Sequence, residues 1–252
     1  MPPSTLAQEP EHDDETGHER RPVVSLVFNP DLGGPAGVAP REGYEPLHPE
    51  LYTYDESFLS PAVRRGDSDR FVFEDAEQIY RWQFFTPEFC RKLVEEAEHS
   101  AEWETRRDVE DNPLAGDGIV KNYSPWDTTQ WLDRMPGLEK VYSDIVRKAL
   151  EPIIYKLWPV FRIQRMKRPY ILKYEPANIA SMGLHFDVET VTLLVYLNEE
   201  YQGGGTRFPR WNYTTGRPPV GTAVLFPGGL SHVHEGVAIT AGRRYLLCGA
   251  YF

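Results

Sequence analysis

Between residue 168 and the C-terminus the chain breaks into short β-type runs separated by Gly and Pro. The runs fall at 170–174, 190–197, 206–208, 222–226, 232–237 and 244–252. Regular short strands with turn signals between them point to a sandwich or a barrel. Helical patterns come earlier. A helix begins at Thr86-Pro87, with Thr as N-cap and Pro at the first helical position. Phe89, Cys90, Leu93, Val94 and Ala97 then recur at helical spacing, with Arg91, Lys92, Glu95, Glu96 and Glu98 mostly on the other side. A second helix over 136–157 carries Leu138, Val141, Tyr142, Ile145, Ala149, Leu150, Ile153 and Leu157 as its buried stripe, and Pro152 is expected to kink or split it. Helices first and strands later predict an α+β fold, a jelly roll (double-stranded β-helix) with N-terminal helices packed on one sheet.

The remainder reads as extension. Residues 1–21 hold six acidic side chains against Arg20 and Arg21 and almost nothing apolar, the composition of a disordered acidic tail. Residues 22–77 form a loop-rich N-terminal extension, with a candidate strand at 23–28 and a Gly/Pro-rich loop over 29–50 laid on the domain. The remainder, 78–252, is the candidate domain, and within it 112–133, with Trp126 and Trp131, has no assignable pattern. The net charge of −11 argues against a nucleic-acid surface, and no run reaches the length of a membrane span. Two cysteines, Cys90 and Cys248, offer no disulfide framework, and the N-terminus has no secretory pattern, so a reducing, cytoplasmic setting is expected.

Chemistry enters at His185-Phe186-Asp187. Two residues apart in an alternating run, the imidazole and the carboxylate are expected on one face of one strand. They make two thirds of a His/His/carboxylate iron site. Jelly-roll strands distant in sequence lie side by side, so His232 or His234 can supply the third ligand, and spacing does not choose between them. Such a site leaves three positions open, enough for a chelating 2-oxo acid and O2. The oxo-acid's far carboxylate then needs a cation, for which the planar fork of arginine is suited. Arg243 and Arg244 open the last strand; alternation sets Arg244 on the roomier side with Leu246, Cys248 and Ala250.

Together these residues resemble the catalytic domain of the procollagen lysyl hydroxylases. The resemblance rests on His185-Phe-Asp187, the run 192–198, the stretch 201–213 with Gly203-Gly-Gly205, and Gly228-Gly-Leu-Ser-His232-Val-His234-Glu-Gly236 followed by Gly242-Arg-Arg-Tyr245. It extends upstream through Tyr174-Glu-Pro176, Lys156-Leu-Trp-Pro159 and the helix around Leu93, covering roughly 78–252. In that family the second His of the pair is the ligand, and the oxoglutarate arginine lies ten positions later, directly before Tyr. The resemblance therefore implies His185, Asp187 and His234 as ligands of Fe(II) and Arg244 as the partner of 2-oxoglutarate. It also implies consumption of O2, release of succinate and CO2, and ascorbate as a reductant.

Other residues have two readings. Thr192 is a candidate hydrogen-bond partner of the oxo-acid or a plain β-former, and Tyr174 a candidate pocket-lining residue or core. His232 is a supporting or substrate-side group, or simply a strand residue. Gly203 to Gly205 suit a hairpin that needs positive φ. The collagen-modifying enzymes are secretory and multidomain, whereas this chain shows neither a signal nor room for glycosyltransferase-like domains, so chemistry carries over and the collagen substrate does not. The expected activity is hydroxylation of an amino-acid side chain, lysine-like, in a peptide or as the free amino acid, by a protein that is a candidate homodimer. The alternatives are oxidation of a small biosynthetic metabolite, by hydroxylation, desaturation or ring closure, and a non-catalytic jelly-roll binding module.

Overall fold

The computed structural model describes residues 43–100, 103 and 129–252, so the tail, the 23–28 strand and Trp126 lie outside the described residues. A short helix α1 (Pro61–Arg65) leads into the hairpin β1 (Phe73–Ala76) and β2 (Ile79–Gln83), then α2 (Pro87–Ser100) and β3 (Thr129–Trp131). Helices α3 (Leu138–Ile145) and α4 (Glu151–Leu157) follow. The remaining strands are β4 (Tyr170–Tyr174), β5 (Met182–His185), β6 (Val191–Tyr196), β7 (Tyr201–Gly203), β8 (Thr206–Phe208), β9 (Tyr213–Thr214), β10 (Thr222–Pro227), β11 (His234–Gly236), β12 (Ile239–Gly242) and β13 (Arg244–Tyr251).

Helix α2 starts where Thr86 and Pro87 require, and the Thr86 hydroxyl accepts from the Phe89 N–H at 3.4 Å. The second helix is split as Pro152 demands. A π-helical turn, Val146–Leu150, lies between α3 and α4, and Pro152 follows it in the first turn of α4. One expectation fails on α2: Glu96 is fully buried and not on the outer face. Position 96 lies three residues from Leu93 on the buried stripe. Its carboxylate accepts from the Tyr52 hydroxyl (2.8 Å), the backbone of His48 (2.8 Å) and Leu47 (3.3 Å), and the Tyr44 hydroxyl.

Among the described residues the strands make a seven-stranded sheet in the order β1-β2-β10-β6-β13-β4-β3, a four-stranded sheet β5-β11-β8-β9, and the pair β12-β7, with antiparallel pairing throughout. This is the expected jelly roll. Strand period two divides the central strands between two cores. Val191, Leu193 and Val195 of β6, Ala223 and Leu225 of β10, and Tyr245 and Leu247 of β13 pack with Phe89, Leu93 and Ala97 of α2 and Leu138, Val141 and Ile145 of α3. Leu194 and Tyr196, Val224 and Phe226, and Leu246 and Cys248 turn to the other face, against Tyr174 and Phe208. The β1–β2 hairpin straddles position 77, and Leu51, Phe58, Leu59 and Val63 belong to the helix-side core.

Gly203, Gly204 and Gly205 do adopt φ of 75°, 75° and 108°. They form a corner, however, and not a hairpin: β7 pairs with β12 and β8 with β11. The backbone must turn from one sheet into the other, and a Cβ on Gly203 would lie 2.7 Å from the Ala238 carbonyl oxygen.

Candidate metal centre

His185 ends β5 and His234 begins β11, and the two are direct cross-strand partners. Their rings face one another with centroids 4.2 Å apart. Asp187 is not on the strand, as alternation had suggested, but two residues beyond it. There its carbonyl accepts from Gly229 N–H at 2.7 Å, while Gly228 N–H donates to Thr190 at 3.0 Å. The turn brings the carboxylate back to the imidazoles, with Oδ1 3.8 Å from His185 Nε2 and Oδ2 3.8 Å from His234 Nε2. One donor atom from each residue lies within 4.8 Å of the others.

Each imidazole is oriented through its other nitrogen. His185 Nδ1 meets the Gly183 carbonyl at 2.8 Å and His234 Nδ1 the His232 carbonyl at 2.9 Å, so Nδ1 carries the proton and Nε2 is the ligand atom. Phe226 and Phe208 wall His234, with ring centroids at 4.7 and 5.6 Å. Burial, followed by the neighbouring His185, pushes His234 down to about 4, so it is a neutral imidazole at neutral pH. For Asp187, burial acts to raise the carboxyl. The charges of His234 and His185, the Thr192 hydroxyl and Lys167 outweigh it and hold the carboxyl below its usual range. Two imidazoles presenting Nε2 and one carboxylate, converging from one side, fit Fe(II).

Thr192 serves this carboxylate: its hydroxyl donates to Asp187 Oδ2 at 2.6 Å. His232 lies in a 3-10 turn, Leu230–His232, and not on a strand, which breaks the two-residue alternation. Its ring packs on Trp211 at 4.6 Å, and its part in the site is the carbonyl that orients His234.

The same cavity is lined by Tyr174, Thr192, Thr206, Leu246 and Cys248, and it reaches Arg244. That guanidinium is fully buried. Nη1 donates to the Gly205 carbonyl (3.1 Å), and Nη2 to the Tyr196 hydroxyl (3.3 Å) and Thr206 Oγ1 (3.4 Å). These acceptors are neutral, and Nε has no partner. A buried cation without a counter-charge is costly, so a carboxylate belongs beside it. Tyr174, the cross-strand partner of Arg244, offers its ring 5.2 Å from the guanidinium carbon. Burial raises the Cys248 thiol well above its ordinary value, so it stays protonated on the cavity wall. The sequence reading had passed over two more charged lining residues, Lys167 and Glu189, although Glu189 repeats the two-residue spacing of His185 and Asp187.

Comparison with known proteins accords with this geometry. The family described as OGFOD2-like domain matches residues 41–114. The multifunctional procollagen lysine hydroxylase and glycosyltransferase LH3 of Rattus norvegicus is 31% identical over 213 residues, covering 80% of this chain and 28% of that protein. Procollagen-lysine,2-oxoglutarate 5-dioxygenase 1 of Mus musculus is 29% identical over 197 residues, covering 77% and 26%. The chain thus spans between a quarter and a third of the length of these relatives. A Trichoplax adhaerens prolyl hydroxylase, solved with a hypoxia inducible factor peptide fragment, superposes with a TM-score of 0.57 at 14% identity, covering 79% of this chain and 96% of its own. The viral collagen prolyl hydroxylase of Paramecium Bursaria Chlorella virus-1, in its 2OG complex, gives 0.50 at 18% identity, covering 70% and 96%. At these identities the structural likeness is one of fold.

Proposed function

We propose, from the premise that this chain is procollagen lysyl hydroxylase-like over 80% of its length, that it is an Fe(II)- and 2-oxoglutarate-dependent hydroxylase of an amino-acid side chain, lysine-like and carried in a peptide or free. The observation that carries this reading is the pairing, in one cavity, of the His185, Asp187 and His234 donors with a fully buried Arg244 whose partners are all neutral. His185 and His234 hold Fe(II) through Nε2, and Asp187 through its carboxylate. Arg244 receives the distal carboxylate of 2-oxoglutarate. Bound together, the metal and the oxo-acid supply an O2-dependent oxidation of a C–H bond, with 2-oxoglutarate leaving as succinate and CO2.

The protein's own share is placement. Thr192 fixes the Asp187 carboxylate, the carbonyls of Gly183 and His232 fix the imidazoles, and Phe208 and Phe226 keep water from the His234 side.

The test is succinate release by protein purified without oxygen and given Fe(II), 2-oxoglutarate, ascorbate and O2, alone or with lysine peptides, proline peptides or free lysine. Lysine-dependent turnover above the uncoupled rate is expected. Stimulation by proline peptides alone overturns the lysine assignment and keeps the hydroxylase. Full coupled turnover in Asp187→Ala overturns the iron site itself.

A further inference from the structure

Six charged or ionisable His, Lys, Arg, Asp and Glu side chains line the cavity: His185, Asp187, His234, Arg244, Lys167 and Glu189. The reading above uses the first four. Lys167 Nζ and Glu189 Oε1 form an ion pair at 3.0 Å, with side-chain exposures of 12% and 3%. A buried ion pair adds little stability over apolar packing of the same size, so its presence on a catalytic cavity wall calls for a role.

Its position is fixed by backbone bonds. Lys167 N–H donates to Ala250 O at 2.8 Å, and Thr190 N–H, next to Glu189, to Tyr251 O at 2.9 Å. The pair therefore sits at the far end of β13 from Arg244. Arg244 and Ala250 are six residue steps apart along the strand, roughly 20 Å. The metal donors lie toward the same end as the pair, since Asp187 is tied to Thr192, whose register partner is Ala250. The cavity thus has a lone cation at one end, and at the other a carboxylate beside the metal donors.

We infer that Glu189 determines substrate specificity: its carboxylate receives the side-chain ammonium of the substrate. The inference rests on the hydroxylase reading and deepens it. A carboxylate two residues from a metal ligand suits a target C–H close to an ammonium, because the reacting carbon and the charge must then be held a few bonds apart. Lys167, paired with Glu189 at 3.0 Å, competes with that ammonium for the same carboxylate. The two residues therefore have opposite expected effects, which a purely structural ion pair would not produce.

The experiment measures binding of a lysine peptide and of the same peptide with norleucine, which keeps the chain and removes the ammonium. Binding is read by calorimetry on protein loaded with Fe(II) and 2-oxoglutarate without oxygen, alongside succinate release in air. Wild type is expected to prefer the lysine peptide. Glu189→Gln should lower that preference by about tenfold or more, as loss of one partner of a desolvated charge contact does. Lys167→Met should keep or increase it. The double variant Lys167→Met/Glu189→Gln carries no orphaned buried charge and guards against misfolding; it too should lose the preference.

Equal preference in wild type and the double variant overturns the role of Glu189 while leaving the hydroxylase reading intact. A wild type that binds norleucine as well as lysine does the same. Absence of succinate release with every substrate would instead count against the hydroxylase reading, and the binding comparison still decides Glu189.

Discussion

A guanidinium with no exposed surface, donating only to a carbonyl and two hydroxyls, keeps most of its charge uncompensated. Arg244 is therefore the residue whose replacement separates cosubstrate binding from metal binding. Arg244→Met should weaken 2-oxoglutarate by about 30-fold or more, the usual cost of removing one side of a buried charge pair, while Fe(II) binding persists. Arg244→Lys should recover only part, because an ammonium cannot reproduce the planar fork. Titration of 2-oxoglutarate into anaerobic Fe(II) protein measures both, and an unchanged affinity in Arg244→Met would place the distal carboxylate elsewhere.

His234 gives a second prediction at this scale. Its folded pKa, about 4, is below the free value of 6.5. Between these values the unfolded chain binds the proton and the folded one does not. Stability of the metal-free protein is thus complete above the unfolded value and falls as pH drops toward about 4, by up to about 3 kcal/mol. Asp187, also lowered on folding, acts in the same direction at lower pH. Denaturant titrations of chelated protein at pH 7 and 4.5 should show this loss, and His234→Gln should shrink it. An identical pH slope in the variant would mean that other groups carry the acid sensitivity.

At the scale of elements, the turn after β5 decides whether the site exists. Gly228 packs so closely that a Cβ there would lie 1.9 Å from the Glu189 carbonyl oxygen and 2.8 Å from that of Asp187. Gly228→Ala must displace the segment that carries both carboxylates. A loss of about 2 kcal/mol or more in stability is expected, as for other overpacked interiors, with weakened Fe(II) binding. Calorimetric melting and metal titration check the two effects; retention of both would mean that the turn yields without moving Asp187.

This turn also marks where the sequence stopped being legible. Strand alternation placed Arg244, Leu246 and Cys248 on one face correctly, because both faces of β13 are buried and period two has to hold. It misplaced Asp187 and said nothing useful about His232, because each lies just outside a strand, in backbone fixed by bonds from elsewhere in the chain. The family likeness supplied the choice of His234 that spacing left open. Glu189 was missed because a second acidic residue at the same spacing has no meaning until Lys167, twenty-two positions earlier, is seen beside it.

For the whole molecule, the question is how much chain the jelly roll needs. The family likeness covers the chain from about residue 78, and the physical ties run further upstream. β1 closes the edge of the large sheet against β2, and Leu51, Phe58, Leu59 and Val63 fill the same core as α2 and α3. Glu96 is buried because Tyr44, Tyr52 and the backbone of Leu47 and His48 satisfy it. A chain begun at residue 78 would expose apolar surface worth about 1.5–3 kcal/mol per lost buried side chain. It would also strip Glu96 of the four donors from residues 44–52 that hold its carboxylate inside. Together these rival the ordinary stability of a domain, about 5–15 kcal/mol. Such a chain should show no cooperative melting, and 2-oxoglutarate with Fe(II) should not restore it. Within the full chain, Glu96→Ala should melt lower and expose the region around residues 44–58 to limited proteolysis before the sheets yield. A cooperative melt of the shortened chain, matching the full one, would instead make the upstream segment an addition to a self-sufficient domain.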